Sequence, residues 1–87
     1  MERKLLDYTV FIEREGNLYN AYCKTLGLAD FGKTISEATK RISAMIKFHI
    51  ESLTDLGYPV PVEKHEATQV TTIVQIHPSV KAKLSYL

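Results

Sequence analysis

Apolar residues recur at helical spacing over residues 35–56 and at alternate positions through most of the rest of the chain. Ile35, Ala38, Ile42, Met45, Ile46, His49, Ile50, Leu53 and Leu56 fall on one arc at i, i+3, i+4 and i+7 steps, which predicts one long amphipathic helix. Both of its ends are written into the sequence. Thr34 stands three residues before Glu37, the capping-box spacing, in which the hydroxyl accepts the Glu37 N–H and the carboxylate reaches back to the Thr34 N–H. Gly57 is available for the left-handed position after the last turn, and Pro59 and Pro61 forbid continuation.

The remaining pattern is strand-like. Tyr8, Val10 and Ile12 alternate with Thr9, Phe11 and Glu13 over residues 7–14, rich in β-branched and aromatic types. Glu15-Gly16-Asn17 is a short polar turn, so residues 18–24 return as the second strand of a hairpin. Ala29-Asp30-Phe31 is a brief third strand leading into the helix cap. Residues 60–67 read as a proline-led, charged connector, and residues 68–76 carry the strongest β-propensity of the chain. His77-Pro78 ends that strand, and residues 79–87 are expected to begin a short helix with Pro78 at its first position. The predicted fold is α+β: a βββαβ order giving a three-to-four-stranded sheet covered on one face by one long helix. The reading is a single domain over residues 1–87, with its core in 7–76 and a short tail in 77–87.

Two surfaces remain without a partner inside the chain. One helix covers one sheet face, while the other face would present Thr9, Phe11, Glu13, Leu18, Tyr22, Thr71 and Ile73. That set is too aromatic to be plainly solvated. Phe11, Tyr22 and Ile73 are therefore the candidate oligomer interface, and a homo-oligomer, a dimer first of all, is expected. On the outer side of the helix, Ala44 and Phe48 lie among Lys40, Arg41, Lys47 and Glu51. A single exposed aromatic needs no explanation; the alternative reading makes Arg41, Ala44, Phe48 and Tyr58 a partner interface, with Phe31 extending it.

Composition narrows the chemistry. Eleven Lys and Arg against ten Asp and Glu leave a net charge of +1, which argues against a strongly basic nucleic-acid surface. The one cysteine, Cys23, excludes an intrachain disulfide and supplies no metal spacing, so a reducing cytoplasm is the default. The longest apolar runs are only a few residues, far short of the roughly 20 that span a bilayer. Asp7, Glu13, Asp30 and Glu37 invite comparison with a two-metal nuclease, which needs carboxylates converging on two cations. The fourth predicted strand contains none, and Glu37 is taken by the cap. Cys23 and His49 lack an orienting third group, so Cys23 reads as a buried structural residue and His49 as a core-edge one. No catalytic, cofactor-binding or metal-binding residue is assigned, and the chain is expected not to be an enzyme.

Tyr8-x-Val10, a glycine turn followed by Tyr19-x-Ala21, Gly27, Gly32-x-Thr34, Glu37-Ala38, a long helix and Gly57-x-Pro59-x-Pro61 together resemble the HicB-like antitoxin family over residues 7–62. The resemblance implies a partial ribonuclease H-like domain without catalytic carboxylates. It also implies an antitoxin that neutralises HicA, a small mRNA-cleaving toxin, by protein–protein contact. Three departures qualify it: Lys24-Thr25-Leu26 replaces the proline-rich approach to Gly27, the chain is not acidic, and only a stub follows the last strand. DNA binding is not expected of that C-terminus. The competing expectation is a stand-alone oligomeric regulatory or scaffold protein of the same fold.

Overall fold

The computed structural model describes residues 5–64, 73–79 and 81–86. Its elements are β1 (Leu6–Thr9), β2 (Phe11–Glu15), β3 (Leu18–Cys23), β4 (Leu28–Gly32), α1 (Ile35–Leu56), β5 (Pro59–Val62), β6 (Ile73–Ile76) and β7 (Lys83–Tyr86). The architecture is α+β, with antiparallel ladders and one long helix. β2, β3 and β4 form an antiparallel meander in which Phe11 stands opposite Tyr22 and Asn20 opposite Phe31. The strand predicted over residues 7–14 is interrupted at Val10, and its first part pairs instead with β6, Tyr8 opposite Val74. Alternation survives the interruption: Tyr8 and Val10 are both buried, and Ile12 packs against the same core.

The helix begins and ends where its caps dictate. Thr34 is extended, and its hydroxyl accepts the Glu37 N–H at 3.0 Å. Only that half of the box is seen. The Glu37 carboxylate turns to the Arg41 guanidinium, 3.6 Å away, one helical turn on. At the other end Gly57 is left-handed (φ 75°), and its N–H and that of Tyr58 donate to Thr54 and Leu53. These two bonds satisfy carbonyls that the last turn leaves open. Replacing Thr34 with alanine is expected to cost about 1 kcal/mol, read as a lowered denaturation midpoint; an unchanged midpoint would place the helix start elsewhere.

Ala38, Ile42, Ile46 and Ile50 form the buried stripe, packed with Tyr8, Val10, Ala21 and Cys23 from the sheet and with Val60, Val62, Val74 and Ile76. Met45 and Leu53 flank it. The ends of the predicted stripe do not join it: Ile35 is 53% and Leu56 67% exposed. A helix of 22 residues is about 33 Å long, and the side chains at its two extremes lie beyond the buried stripe that runs from Ala38 to Ile50.

The C-terminal third differs most from the sequence reading. The segment read as a connector contains β5, and the segment read as a short tail or helix contains β7; the two pair in parallel, Val60 opposite Leu84. Proline at alternate positions 59 and 61 removes donors from one edge of β5 only, leaving Val60 and Val62 to bond on the other. On the proline side, the Tyr8 hydroxyl donates to the Pro61 carbonyl at 2.6 Å. Pro78 is buried rather than opening a helix, and Ala82 N–H donates to Ser79 C=O at 2.9 Å as the chain turns into β7. Of the strand expected over residues 68–76, 73–76 is described; Gln69 and Thr71 lie outside the described residues.

Candidate functional site

The register of the meander decides which residues share its uncovered face. Phe11, Glu13 and Glu15 of β2 stand opposite Tyr22, Asn20 and Leu18 of β3, and the first two of these columns continue to Ala29 and Phe31 of β4. The helix packs on the other side, where Gly32 meets Ala38. Phe11 and Tyr22 stack with ring centroids 5.3 Å apart, and the Lys24 ammonium lies 5.0 Å from the Phe11 ring centre. The Tyr22 hydroxyl donates to Glu13 at 3.2 Å. Desolvation, then that bond and the charge of Glu13, hold the Tyr22 phenol above its ordinary range. Leu18 is 39% and Phe31 43% exposed.

Two of the three residues expected at an oligomer interface are thus brought together. Ile73 stands opposite Thr9 in the β1–β6 ladder, and its side chain lies outside the described residues. Phe31 corrects the sequence reading. It extends this sheet face and not the outer side of the helix, because it occupies the β4 position opposite Asn20.

On the helix, Phe48 is 71% exposed, and Ala44, one turn before it, is exposed beside Lys40, Arg41, Lys47 and Glu51. Tyr58 is exposed just beyond Gly57, nearly three helical turns from Phe48. Arg41 is also an intrachain clamp. Its guanidinium lies 3.7 Å from Asp30 of β4 as well as 3.6 Å from Glu37.

The carboxylates considered for a nuclease are divided. Asp30 and Glu37 flank Arg41 on the helix side of the sheet, while Glu13 lies on the opposite face. Cys23 is buried, and burial pushes its thiol up, partly offset by backbone hydrogen bonds at Leu26 and Thr25. Among the described residues no cluster of three His, Cys, Asp or Glu stands in metal-ligating geometry, and no helix is long and apolar enough to cross a membrane.

A polar staple missed in the sequence holds the strand break at Val10. Glu63, just past β5, accepts the Thr9 N–H at 2.8 Å and the Thr9 hydroxyl at 2.6 Å. The Tyr8 phenol beside it is pushed well above its ordinary value of 10.0 by burial, then by Cys23 and Glu63. A phenol raised on folding contributes stability that is complete below the unfolded value and is lost as pH rises toward the folded one. Tyr8→Phe is therefore expected to cost about 1 kcal/mol at neutral pH through the lost bond to Pro61. The gap between the two proteins should close above about pH 10 in urea titrations run across that range. A gap independent of pH would contradict this role.

No protein-family model and no solved structure matches the chain. The chain is 38% identical to UPF0150 protein ssr1765 of Synechocystis sp. over 63 residues, 70% of this chain and 80% of that protein. The chain belongs to the UPF0150 family. The relative's name states no reaction, ligand or partner. For this UPF0150 protein the described geometry offers two exposed apolar-centred surfaces on opposite sides of one sandwich.

Proposed function

We propose that this UPF0150 protein is a HicB-like antitoxin, which neutralises a HicA-type mRNA-cleaving toxin by protein–protein contact in the cytoplasm, without catalysis, cofactor or DNA binding of its own. The observation that carries the reading is Phe48, 71% exposed on a helix whose buried stripe, Ala38, Ile42, Ile46 and Ile50, lies on the other side. A large aromatic held on a rigid element, with Ala44 beside it and Arg41, Lys40, Lys47 and Glu51 around it, has the apolar centre and charged rim of an interface core. Tyr58 is placed to contact the rim of a partner long enough to reach the helix end. The resemblance of residues 7–62 to HicB-like antitoxins supplies the class of partner, and self-association through the open sheet face belongs to the same reading.

Co-expression with a neighbouring small basic protein, followed by a pull-down, tests the partnership. Truncating a central aromatic anchor typically costs about 2 kcal/mol, roughly 30-fold in affinity. Phe48→Ala is expected to weaken toxin binding by that factor with an unchanged melting temperature. Retained binding in Phe48→Ala, with loss in Phe11→Ala or Tyr22→Ala, would move recognition to the sheet.

The second reading, a stand-alone oligomeric regulatory or scaffold protein of this fold, is favoured by the stacked Phe11–Tyr22 pair on the other face. It predicts self-association with no co-purifying toxin.

A further inference from the structure

We infer that the occupant of the open sheet face is a second copy of this chain, laid on it with its strands antiparallel to the first; this rests on, and specifies, the self-association in the proposed function. The face is polarised along β2 and β3, with Lys33 standing just past the end of β4. Lys24 lies at the Phe11–Tyr22 end, 5.0 Å from the Phe11 ring centre. Glu13 follows opposite Asn20, and Glu15 opposite Leu18 closes the hairpin end. Phe11 and Glu15 stand four positions apart on β2, about 13 Å of extended chain. The positive and negative ends are thus far enough apart to be matched separately. Phe11 and Tyr22 beside Lys24, Phe31 in the Glu13–Asn20 column and Leu18 beside Glu15 supply the apolar surface along the same face.

A face of this design is complementary to itself in one orientation. Two sheets meeting face to face are related by a two-fold axis lying in the plane between them. An axis along the strands would set Lys24 at the level of the second copy's Lys24 and the acidic ends at the same level as each other. An axis across the strands reverses the second copy, so each Lys24 faces the acidic end of the other while the aromatic rows pack together. Like-charge juxtaposition is strongly unfavourable at a contact and opposite charges set its register, so the second arrangement is selected. An isologous contact of this kind closes on itself as a dimer.

Charge reversal in trans tests the arrangement. Lys24, Glu13 and Glu15 are exposed, so their substitution leaves the core untouched. Self-association is measured by sedimentation equilibrium at low salt for Lys24→Glu, for Glu13→Lys with Glu15→Lys, and for an equimolar mixture of the two proteins. Each alone is expected to associate about tenfold more weakly than wild type; the mixture, in which every contact again joins opposite charges, is expected to regain wild-type affinity as a heterodimer. A mixture no tighter than its components overturns the arrangement, as does a wild-type chain that stays monomeric at about 100 µM, where even a weak dimer would be partly populated. Toxin binding measured on the same variants separates the two proposals. Lys24→Glu that loses self-association and keeps the toxin leaves the helix-face reading intact, while loss of toxin binding in Phe48→Ala alone does not touch the dimer.

Discussion

Gly32→Ala is expected to cost about 3 kcal/mol, at the upper end of ordinary overpacking effects, although it adds a single methyl group. Gly32 ends β4 on its helix-facing side, opposite Tyr19, and is itself buried. A Cβ built there would lie against the backbone nitrogen of Ala38, 2.8 Å from the Ala38 Cα and 2.9 Å from the Glu37 carbonyl carbon. All three are backbone atoms of the first helical turn, so no rotamer change relieves the contact. Either the last pair of the β3–β4 ladder opens or the helix lifts from the sheet at its capped end. The requirement is for space and not for an unusual backbone conformation, which separates Gly32 from Gly57. At Gly57 nothing lies within 4 Å of an added Cβ, but φ is 75°, and alanine there is expected to cost only about 1 kcal/mol. Urea unfolding of the two variants checks the ordering; a Gly32→Ala protein within about 0.5 kcal/mol of wild type would show that the strand–helix junction yields easily.

Ile46→Ala is the second large effect, about 3–4 kcal/mol, and its contrast with Ile35→Ala is the informative part. Ile46 is fully buried at the middle of the stripe, against the sheet, so truncation removes apolar contacts and leaves a cavity that a packed helix closes only in part. Ile35 lies on the same arc of the same helix yet is 53% exposed, and its truncation is expected to stay within about 0.5 kcal/mol. Equal losses at the two positions would mean that the first turn is covered in solution.

That contrast marks how far the sequence carries. Periodicity identifies the arc on which Ile35, Ile46 and Leu56 all lie, because the 3.6-residue repeat is a local property of the chain. It does not say how wide the sheet beneath them is. The faces of the meander were likewise legible, since alternation along residues 7–14 and 18–24 places Phe11 and Tyr22 together once the hairpin turn is read. The sequence assigns Phe31 to the wrong surface, because a short strand between a glycine turn and a helix cap carries too few positions to reveal its side. Of the candidate partner residues, Phe48 and Ala44 are exposed as the helical spacing requires. The clamp of Arg41 on Asp30 joins residues eleven apart on different elements and has no local signature.

Elements whose causes are local are legible in the residues alone. The helix runs from Thr34 to Gly57 because a hydroxyl, a left-handed glycine and two prolines act within one turn of each end. The β2–β3 hairpin follows from alternation about Gly16. Tertiary structure decided what depends on segments distant along the chain: the change of strand partner at Val10, held by Glu63 from 54 residues away, and the parallel pairing of β5 with β7. Parallel strands share no turn, so neither carries a mark of its mate, and prolines that read locally as a connector become edge residues only when β7 lies beside them.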